Sequence, residues 1–275
     1  MQSTSDQLRV DGKRIGVVPT MGYLHTGHLS LMRIARQHSD VVISTIFVNP
    51  TQFSPNEDFS TYPRDIERDT TLASSAGTDI LFTPETKEMY PVHYFTYVDV
   101  EKITGVLEGK FRPTHFRGVT TIVVKLFNIT KPHVAVFGQK DAQQAVVIKQ
   151  MAKDLNFDIL IIVAPIVREA DGLAMSSRNV YLSSVERKEA LVLSRSLKLA
   201  EQLIAQGGHQ SSMVMKEMNK LITAQPSAHI DYISIADPVT LQEKSELTPG
   251  ETVLISLAVR IRTTRLIDNT LVTVK

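Results

Sequence analysis

PTMGYLHTGH, at residues 19–28, follows the apolar run Ile15–Val18 and precedes a segment of helical periodicity, residues 29–37. A strand, a glycine turn and a helix in this order commonly bind phosphate in α/β proteins. The first N–H groups of a helix have no intrahelical partner, and the helix dipole is positive at that end. His25 and His28 lie within the turn. A match this short is more often a plain strand-to-helix turn with surface or capping histidines, so the rest of the chain has to decide.

Length and composition are those of a globular protein large enough for two packed domains. The chain has 275 residues, of which 43% are hydrophobic and 21% charged. No apolar run approaches the roughly 20 residues that a membrane-spanning helix needs. The polar segment Met1–Arg9 does not resemble a secretion signal. We therefore expect a cytoplasmic protein with no membrane partner.

Cysteine content and charge exclude several functions. Because the chain has no cysteine, it has no thiol nucleophile, forms no enzyme thioester and binds no cysteine-ligated zinc. An acyl group would have to be activated on another carrier. A net charge of +1 without a long run of one sign argues against nucleic acid as the main partner.

Apolar β-branched runs alternate with helical patterns in the first two-thirds of the chain. This pattern predicts a doubly wound, Rossmann-like α/β fold whose parallel strands are buried on both faces. The predicted strands are 15–18, 41–48, 79–82, 134–137 and 159–163. The predicted helices are 29–37, 64–76, 119–129 and 142–155.

The pattern changes after Val167. A polar segment, Arg168–Asn179, precedes a capping box at Ser183–Glu186, which predicts a helix extending to about Ala205. A helix at 211–223 and strands at 230–236, 252–259 and 271–274 follow. We therefore predict a first domain at 1–166 and a smaller C-terminal α+β domain at 167–275.

Polar residues follow several predicted strands, at the edge where parallel sheets bind ligands. The segments are 49–53 (NPTQF), 138–144 (GQKDAQQ) and, in the polar segment, 175–179 (MSSRN). A lysine or arginine with adjacent hydroxyls suits phosphate oxygens. Taken singly, each segment is better explained as a turn, a helix cap or an exposed loop than as part of a binding site.

Together these segments make the chain similar to the pantothenate synthetase (pantoate–β-alanine ligase) family of the HxGH nucleotidyltransferase superfamily. The matching segments are PTMGYLHTGH at 19–28, FVNPTQF at 47–53, YPRD at 62–65, HFRGV at 115–119, FGQKDAQQ at 137–144, READGLAMSSRNVYL at 168–182 and LIDN at 266–269. The HxGH segment alone names only the superfamily, whereas the NPxQF and KDxxQ segments are specific to the family. Thr51 departs from the resemblance, since methionine or leucine is frequent there.

The resemblance implies an enzyme that condenses (R)-pantoate with β-alanine to pantothenate, converting ATP to AMP and pyrophosphate through a pantoyl adenylate. It implies catalytic roles for His25, His28, Lys140 and Arg178. The implied ATP-binding residues are Met21, Gly22, Tyr23, Leu24, His25, Thr26, Gly27, His28, Gly138, Gln139, Lys140, Asp141, Val167, Met175, Ser176, Ser177 and Arg178. Gln52 and Gln144 would bind pantoate, and Gln52 also β-alanine.

The same resemblance implies a homodimer and Mg²⁺ that accompanies ATP, and we name no protein ligand for the metal. His28 would either transfer a proton or only donate a hydrogen bond, and the sequence leaves both roles open. Two rival functions also remain. One is another HxGH nucleotidyltransferase, with no need for β-alanine; the other is a catalytically silent nucleotide-binding module.

Overall fold

The computed structural model describes residues 1–55 and 57–275. Its strands are β1 (Ile15–Thr20), β2 (Val41–Ile46), β3 (Ile80–Phe82), β4 (Val134–Gly138), β5 (Leu160–Ala164), β6 (Ala228–Ala236), β7 (Thr252–Ile261) and β8 (Thr264–Thr273). Its helices are α1 (Gln2–Val10), α2 (Thr26–His38), α3 (Ile66–Ser75), α4 (Thr86–Met89), α5 (Glu108–Phe111), α6 (His115–Thr130), α7 (Ala142–Asp154), α8 (Ser184–Ala190), α9 (Val192–Ala205) and α10 (Ser211–Thr223). Short 3₁₀ helices cover Pro50–Gln52, Gln139–Asp141 and Ser177–Tyr181.

The chain divides into two compact units. The first comprises Met1–Gln139 and Gln144–Pro165, and the second comprises Lys140–Gln143 and Ile166–Lys275. Four residues between β4 and the body of α7 therefore belong with the C-terminal part of the chain.

The first unit contains a parallel sheet in the order β3-β2-β1-β4-β5. Its strand order reverses at β1, as in doubly wound folds, and the predicted fold class is confirmed. Burial differs from the prediction at the edges. Strands β1 and β4 are almost wholly buried, but Leu160 in the edge strand β5 is 51% exposed, because an edge strand has a neighbour on one side only.

Alternate residues of the central strands serve two separate cores. Val17 and Ala135 pack with α6 and α7 residues such as Phe127, whereas Val18 and Val134 pack with residues of α2 and α3. Because adjacent strand residues point to opposite faces of a sheet, the helices cover both faces. This arrangement leaves the turns after the strands as the place for polar residues.

The second unit contains the antiparallel sheet β6-β7-β8 and helices α8 to α10, as the predicted α+β pattern requires. The predicted capping box is present, since Glu186 N donates to Ser183 Oγ at 3.3 Å. Leu191 interrupts the predicted helix, which is two helices, α8 and α9. The strand predicted at 271–274 starts earlier than expected: β8 spans residues 264–273, since a tight turn at Arg262 (φ +51°) lets it pair with β7 along its length.

Two helices at the start of the chain differ from expectation. Helix α1 was not predicted, because its nine residues are mostly polar and bury only Ser5. Helix α2 begins at Thr26 rather than residue 29, so Gly27 and His28 lie in its first turn. Within the described parts of the chain, no helix combines the length and apolar character that crossing a membrane requires.

Candidate active site

The turn after β1 packs closely against β2. Thr20 Oγ1 donates to the carbonyl oxygen of Thr45 at 2.7 Å and accepts from Gly22 N at 3.2 Å. Gly22 has φ +84°, and a Cβ there would lie 2.9 Å from Cγ2 of Ile46. A side chain at this position would therefore meet both backbone strain and a clash, which explains the glycine.

A buried carboxylate from α3 fixes the middle of this turn. Asp69, 1% exposed, accepts from the main-chain N–H groups of Tyr23 at 2.6 Å and Leu24 at 2.7 Å. The neighbouring Arg68 donates to Leu24 O at 2.9 Å, and its guanidinium lies 5.1 Å from the Tyr23 ring centre. These two N–H groups are engaged within the protein, so Tyr23 and Leu24 can contact a ligand only through other atoms.

His25 and His28 stack on each other at the start of α2. Their ring centres are 4.0 Å apart with 27° between the planes, and His25 is the N-cap residue. His28 Nδ1 accepts from the His25 N–H at 3.3 Å. A neutral His28 therefore has its proton on Nε2, where it can be donated.

The side chain of Gln52 is oriented by Asn49. Asn49 Nδ2 donates to Gln52 Oε1 at 3.2 Å, which leaves Gln52 Nε2 as the end that donates toward Sδ of Met21. Gln52 is 8% exposed and lies in the 3₁₀ helix that follows β2. The first unit thus brings together Gln52 and a residue of the 19–28 turn, as the strand-end argument predicted.

Asn49 is held by a neutral network. Its Nδ2 also donates to Gly118 O at 3.0 Å, while its Oδ1 accepts from Tyr90 Oη at 2.8 Å and from Thr51 Oγ1 at 3.0 Å. Burial raises the pKa of Tyr90 to about 12, so the phenol stays protonated and donates. Thr51 thus supplies a donor to Asn49 that methionine or leucine would lack. The departure from the family pattern at residue 51 leaves the Asn49–Gln52 bond in place.

The main chain of Gln52 is held separately, from α6 and the segment before it. His115 Nδ1 lies 2.9 Å from Gln52 O, and Arg112 donates to the same oxygen at 3.3 Å. A carbonyl only accepts, so Nδ1 bears the proton and Nε2 faces Arg112 at 3.2 Å. Burial, followed by the nearby Arg112 charge, lowers the pKa of His115 to about 4. Arg112 also forms a two-contact ion pair with Glu57, at 2.7 and 2.6 Å.

Other predicted residues lie around the end of β4. Gly138 ends the strand, and Gln139 begins the 3₁₀ helix. In the second unit, Lys140 Nζ lies 3.9 Å from Asp141 Oδ1, with the lysine side chain 22% exposed. Gln144, in the first unit, is half-buried in the first turn of α7.

A small hairpin in the second unit leads into the predicted phosphate segment. Arg168 and Ala174 form an antiparallel bridge, and Met175 N donates to Val167 O at 3.0 Å. Ser176 caps the 3₁₀ helix by accepting from Arg178 N at 3.3 Å. The structure therefore places Val167, Met175, Ser176, Ser177 and Arg178 in one continuous, ordered segment.

Ion pairs fasten this segment to α8. Arg187 donates to Glu169 Oε2 at 2.7 Å and to Asp171 Oδ2 at 2.8 Å. Glu169 Oε1 in turn accepts from Asn179 Nδ2 at 2.7 Å. The Arg187 hydrogen bonds lower the pKa of both acids and raise that of the arginine.

Sequence reasoning missed most of these supporting residues. The missed residues are Asn49, Asp69, Tyr90, Arg112, His115, Glu169 and Arg187. Asn49 stands in the quoted NPTQF segment but was explained as a turn residue. No local pattern marks Asp69, since its partners precede it by more than 40 positions in the chain.

Comparisons with known proteins identify the family. The sequence model of the pantoate-beta-alanine ligase family matches residues 1–271. The chain belongs to the pantoate-beta-alanine ligase family. The resemblance inferred from the sequence is thereby confirmed, and with it the assignment as a ligase of pantothenate biosynthesis.

Individual relatives match along nearly their whole length. The chain is 58% identical to the pantothenate synthetase of Acetivibrio thermocellus over 263 residues, covering 96% of this chain and 93% of the relative. It is 56% identical to that of Thermoanaerobacter sp. (strain X514) over 263 residues, with 96% and 92% covered.

Solved structures show the same fold. The pantothenate synthetase of Thermus thermophilus has a TM-score of 0.91 and 44% identity, with 97% of this chain and 96% of that chain covered. A Francisella tularensis pantoate-beta-alanine ligase, complexed with beta-gamma ATP and beta-alanine, has a TM-score of 0.80 and 38% identity, with 98% and 94% covered.

Proposed function

We propose that this ligase condenses (R)-pantoate with β-alanine through a pantoyl adenylate formed from ATP. A pantoate carboxylate oxygen attacks the α-phosphorus and pyrophosphate leaves; the neutral amine of β-alanine then attacks the acyl carbon, AMP leaves and the amine loses a proton. The absence of cysteine agrees with activation on AMP. The observation that carries the proposal is the fixed turn ending in stacked His25 and His28, with the Gln52 amide held at Met21 in the same unit.

Gln52 suits pantoate because the network fixes which end of its amide donates. Its Nε2 can donate to the carboxylate or a hydroxyl of pantoate, and a neutral donor leaves the carboxylate nucleophilic. An acid without the hydroxyls would leave the buried Gln52 amide without a ligand partner, which favours discrimination. We assign Gln144 to pantoate as well, and Gln52 also to β-alanine.

His28 serves the reacting phosphate through Nε2. With Nδ1 accepting from the main chain, its proton is directed away from the turn, which favours a role as hydrogen-bond donor to the developing charge. His25 would contribute from the same helix start. The other ATP residues of the first unit in this proposal are Met21, Gly22, Tyr23, Leu24, Thr26, Gly27, Gly138 and Gln139.

The second unit supplies the remaining groups for ATP. Lys140 and the Ser176–Arg178 segment would bind phosphate oxygens, and Asp141 would accept from ribose hydroxyls, with Val167 and Met175 beside the nucleotide. The C-terminal domain would act as a lid that keeps water from the adenylate. The ATP and beta-alanine in the Francisella tularensis structure support both ligands.

Mg²⁺ would enter as part of the ATP substrate. Among residues 1–55 and 57–275, no three histidine or acidic side chains are grouped to hold a metal ion. We also propose, from the family resemblance, that the protein is cytoplasmic and forms a homodimer. Light scattering on the purified chain would test the dimer.

An AMP-release assay tests the proposed reaction. With ATP, pantoate and β-alanine present, we expect one AMP for each pantothenate, and no sustained release when pantoate or β-alanine is omitted. Release without any need for pantoate would instead indicate another nucleotidyltransferase. Gln144→Ala should raise the KM for pantoate far more than that for ATP; an equal rise in both would contradict the assigned pocket.

A further inference from the structure

The segment LIDN, at 266–269, carries no assigned role in the reaction, yet two of its side chains are almost fully buried. Asp268 and Asn269 are each 2% exposed in β8, the edge strand of the second unit's sheet. Adjacent strand residues point to opposite faces, so this strand can hold one segment on each side. Buried polar groups need such partners, because an unpaired one costs free energy.

Asp268 is paired with the start of the hairpin that leads to Ser176. Arg168 donates to its two carboxylate oxygens at 2.6 and 3.0 Å. The same guanidinium donates to Gly172 O at 3.2 Å. Arg168 therefore stabilises the hairpin internally and also connects it to β8. The 3₁₀ helix 177–181 also lies against β8.

Asn269 is bonded to the main chain of Lys140. Its Nδ2 donates to Lys140 O at 2.9 Å, across 129 positions in the chain. Its own main-chain N–H donates to Asp268 Oδ1 at 2.8 Å, which joins the two contacts. Lys140 belongs to the second unit, together with β8.

We propose that Asp268 and Asn269 are positioning residues for ATP, holding the 168–178 segment and Lys140 at a fixed distance from each other through β8. This inference rests on the proposed assignment of Lys140 and Ser176–Arg178 to ATP phosphates. Neither residue needs to touch ATP. Their effect comes from placing cationic and hydroxyl groups where phosphate charge develops, and small displacements of such groups are costly.

The test measures AMP release by the full chain with ATP varied at saturating pantoate and β-alanine, and then with pantoate varied. For Asn269→Ala we expect the KM for ATP to rise about tenfold, since the Lys140 carbonyl loses its donor, with the KM for pantoate within twofold. Asp268→Asn should likewise raise the KM for ATP and leave the KM for pantoate within twofold. Thr270→Val is the matched control: it removes a 2.7 Å bond from the next residue of β8 to Glu201 and should leave both constants unchanged.

A double-mutant cycle separates positioning from a general loss of structure. If Asn269 acts through Lys140, adding Asn269→Ala to Lys140→Ala should cost less than twofold further. Additive losses, or an equal rise in both KM values, would overturn the inference. Asn269→Leu, which keeps the volume, repeats the measurement if thermal melting shows the alanine variant unfolded.

Failure of the inference is distinguishable from failure of the proposed function. If Lys140→Ala leaves the KM for ATP unchanged, the assignment of Lys140 to phosphate is wrong. If Lys140→Ala raises it and Asn269→Ala does not, only the positioning role is wrong.

Discussion

Gln52 in the first unit and the 168–179 segment in the second are held by different kinds of bond. Around the side chain of Gln52 the partners Asn49, Thr51 and Tyr90 are neutral, and Asn49 is 1% exposed. Besides the Arg168–Asp268 pair, the 168–179 segment is held by ion pairs of Glu169 and Asp171 with Arg187, and these three side chains are 28–35% exposed. Buried neutral networks give orientation that salt does not screen, whereas half-exposed ion pairs are weaker and salt-sensitive.

The difference matters because the two regions have different tasks in the proposed reaction. A pocket that distinguishes pantoate from similar acids needs a fixed donor and acceptor pattern. A segment proposed to close over ATP needs bonds that permit movement. The comparison is testable through acid, substitution and salt, which affect the two regions differently.

Acid should destabilise the first region at a higher pH than the second. The pKa of His115 falls from 6.5 to about 4 on folding, so the unfolded chain binds this proton first and the native state is disfavoured as pH decreases. We expect the free energy of unfolding to drop by up to about 3 kcal/mol between pH 6.5 and 4 from this group. Urea unfolding across that range, compared with His115→Gln, measures the contribution.

The acids of the second region contribute in a lower pH window. The pKa values of Glu169 and Asp171 are lowered by Arg187, so their stabilisation is present above the ordinary carboxylate pKa and is lost as pH falls through the lowered values. If wild type and His115→Gln lose stability equally between pH 6.5 and 4, the assignment of that window to His115 is wrong.

Asn49→Ala should have the next largest effect. It leaves the Tyr90 hydroxyl, Gln52 Oε1 and Gly118 O without their shared partner, so kcat/KM for pantoate should fall about 100-fold. The KM for ATP should change less than twofold. Asn128→Ala, at an exposed position of α6, is the control; a comparable rise in the ATP constant would mean that Asn49 supports the whole fold instead.

Tyr90→Phe should weaken the same network by a single bond. We expect about a tenfold increase in the KM for pantoate, because Thr51 Oγ1 still donates to Asn49 Oδ1. Tyr94→Phe removes a hydroxyl from the ring that packs edge-on against Tyr90, 5.1 Å away, and should change the constant less than twofold. Equal effects of the two substitutions would show that the Tyr90 hydroxyl does not orient Asn49.

Arg187→Met should give the smallest effect and the only one that depends on salt. At low ionic strength we expect about a fivefold rise in the KM for ATP, and less at 0.5 M salt, where screening already weakens the wild-type pairs. Arg195→Met, an exposed charge on α9, controls for the lost charge. A salt-independent effect would show that packing by Arg187 matters more than its charge.

The confirmed predictions are those that rest on hydrophobic periodicity, turn residues and short motifs. The first-unit strands, the Ser183–Glu186 cap and the family itself followed from local patterns, and each is confirmed. The start of α2 was missed because glycine and histidine are weak helix formers, although the Asp69 carboxylate fixes the turn immediately before that helix.

The supports of the site could not be predicted in the same way. Asp69, Tyr90 and Asn269 act across 39 or more positions in the chain, and nothing near them in sequence marks a partner. Asn49 and Thr51 were visible in the NPTQF segment, but their roles depend on a tyrosine from another element. Local sequence thus indicated the candidate site residues, while the groups that orient them became evident only in three dimensions.

The assignment of Lys140–Gln143 to the second unit has a practical consequence for dissecting this protein. A fragment beginning at Ile166 would contain β8 but not the residue whose carbonyl Asn269 binds. The two units are therefore not separable by one cut, and chimaeras between relatives joined at residue 165 would combine an Asn269 from one parent with a Lys140 from the other. Exchanging 140–143 along with the C-terminal part would keep that pair together.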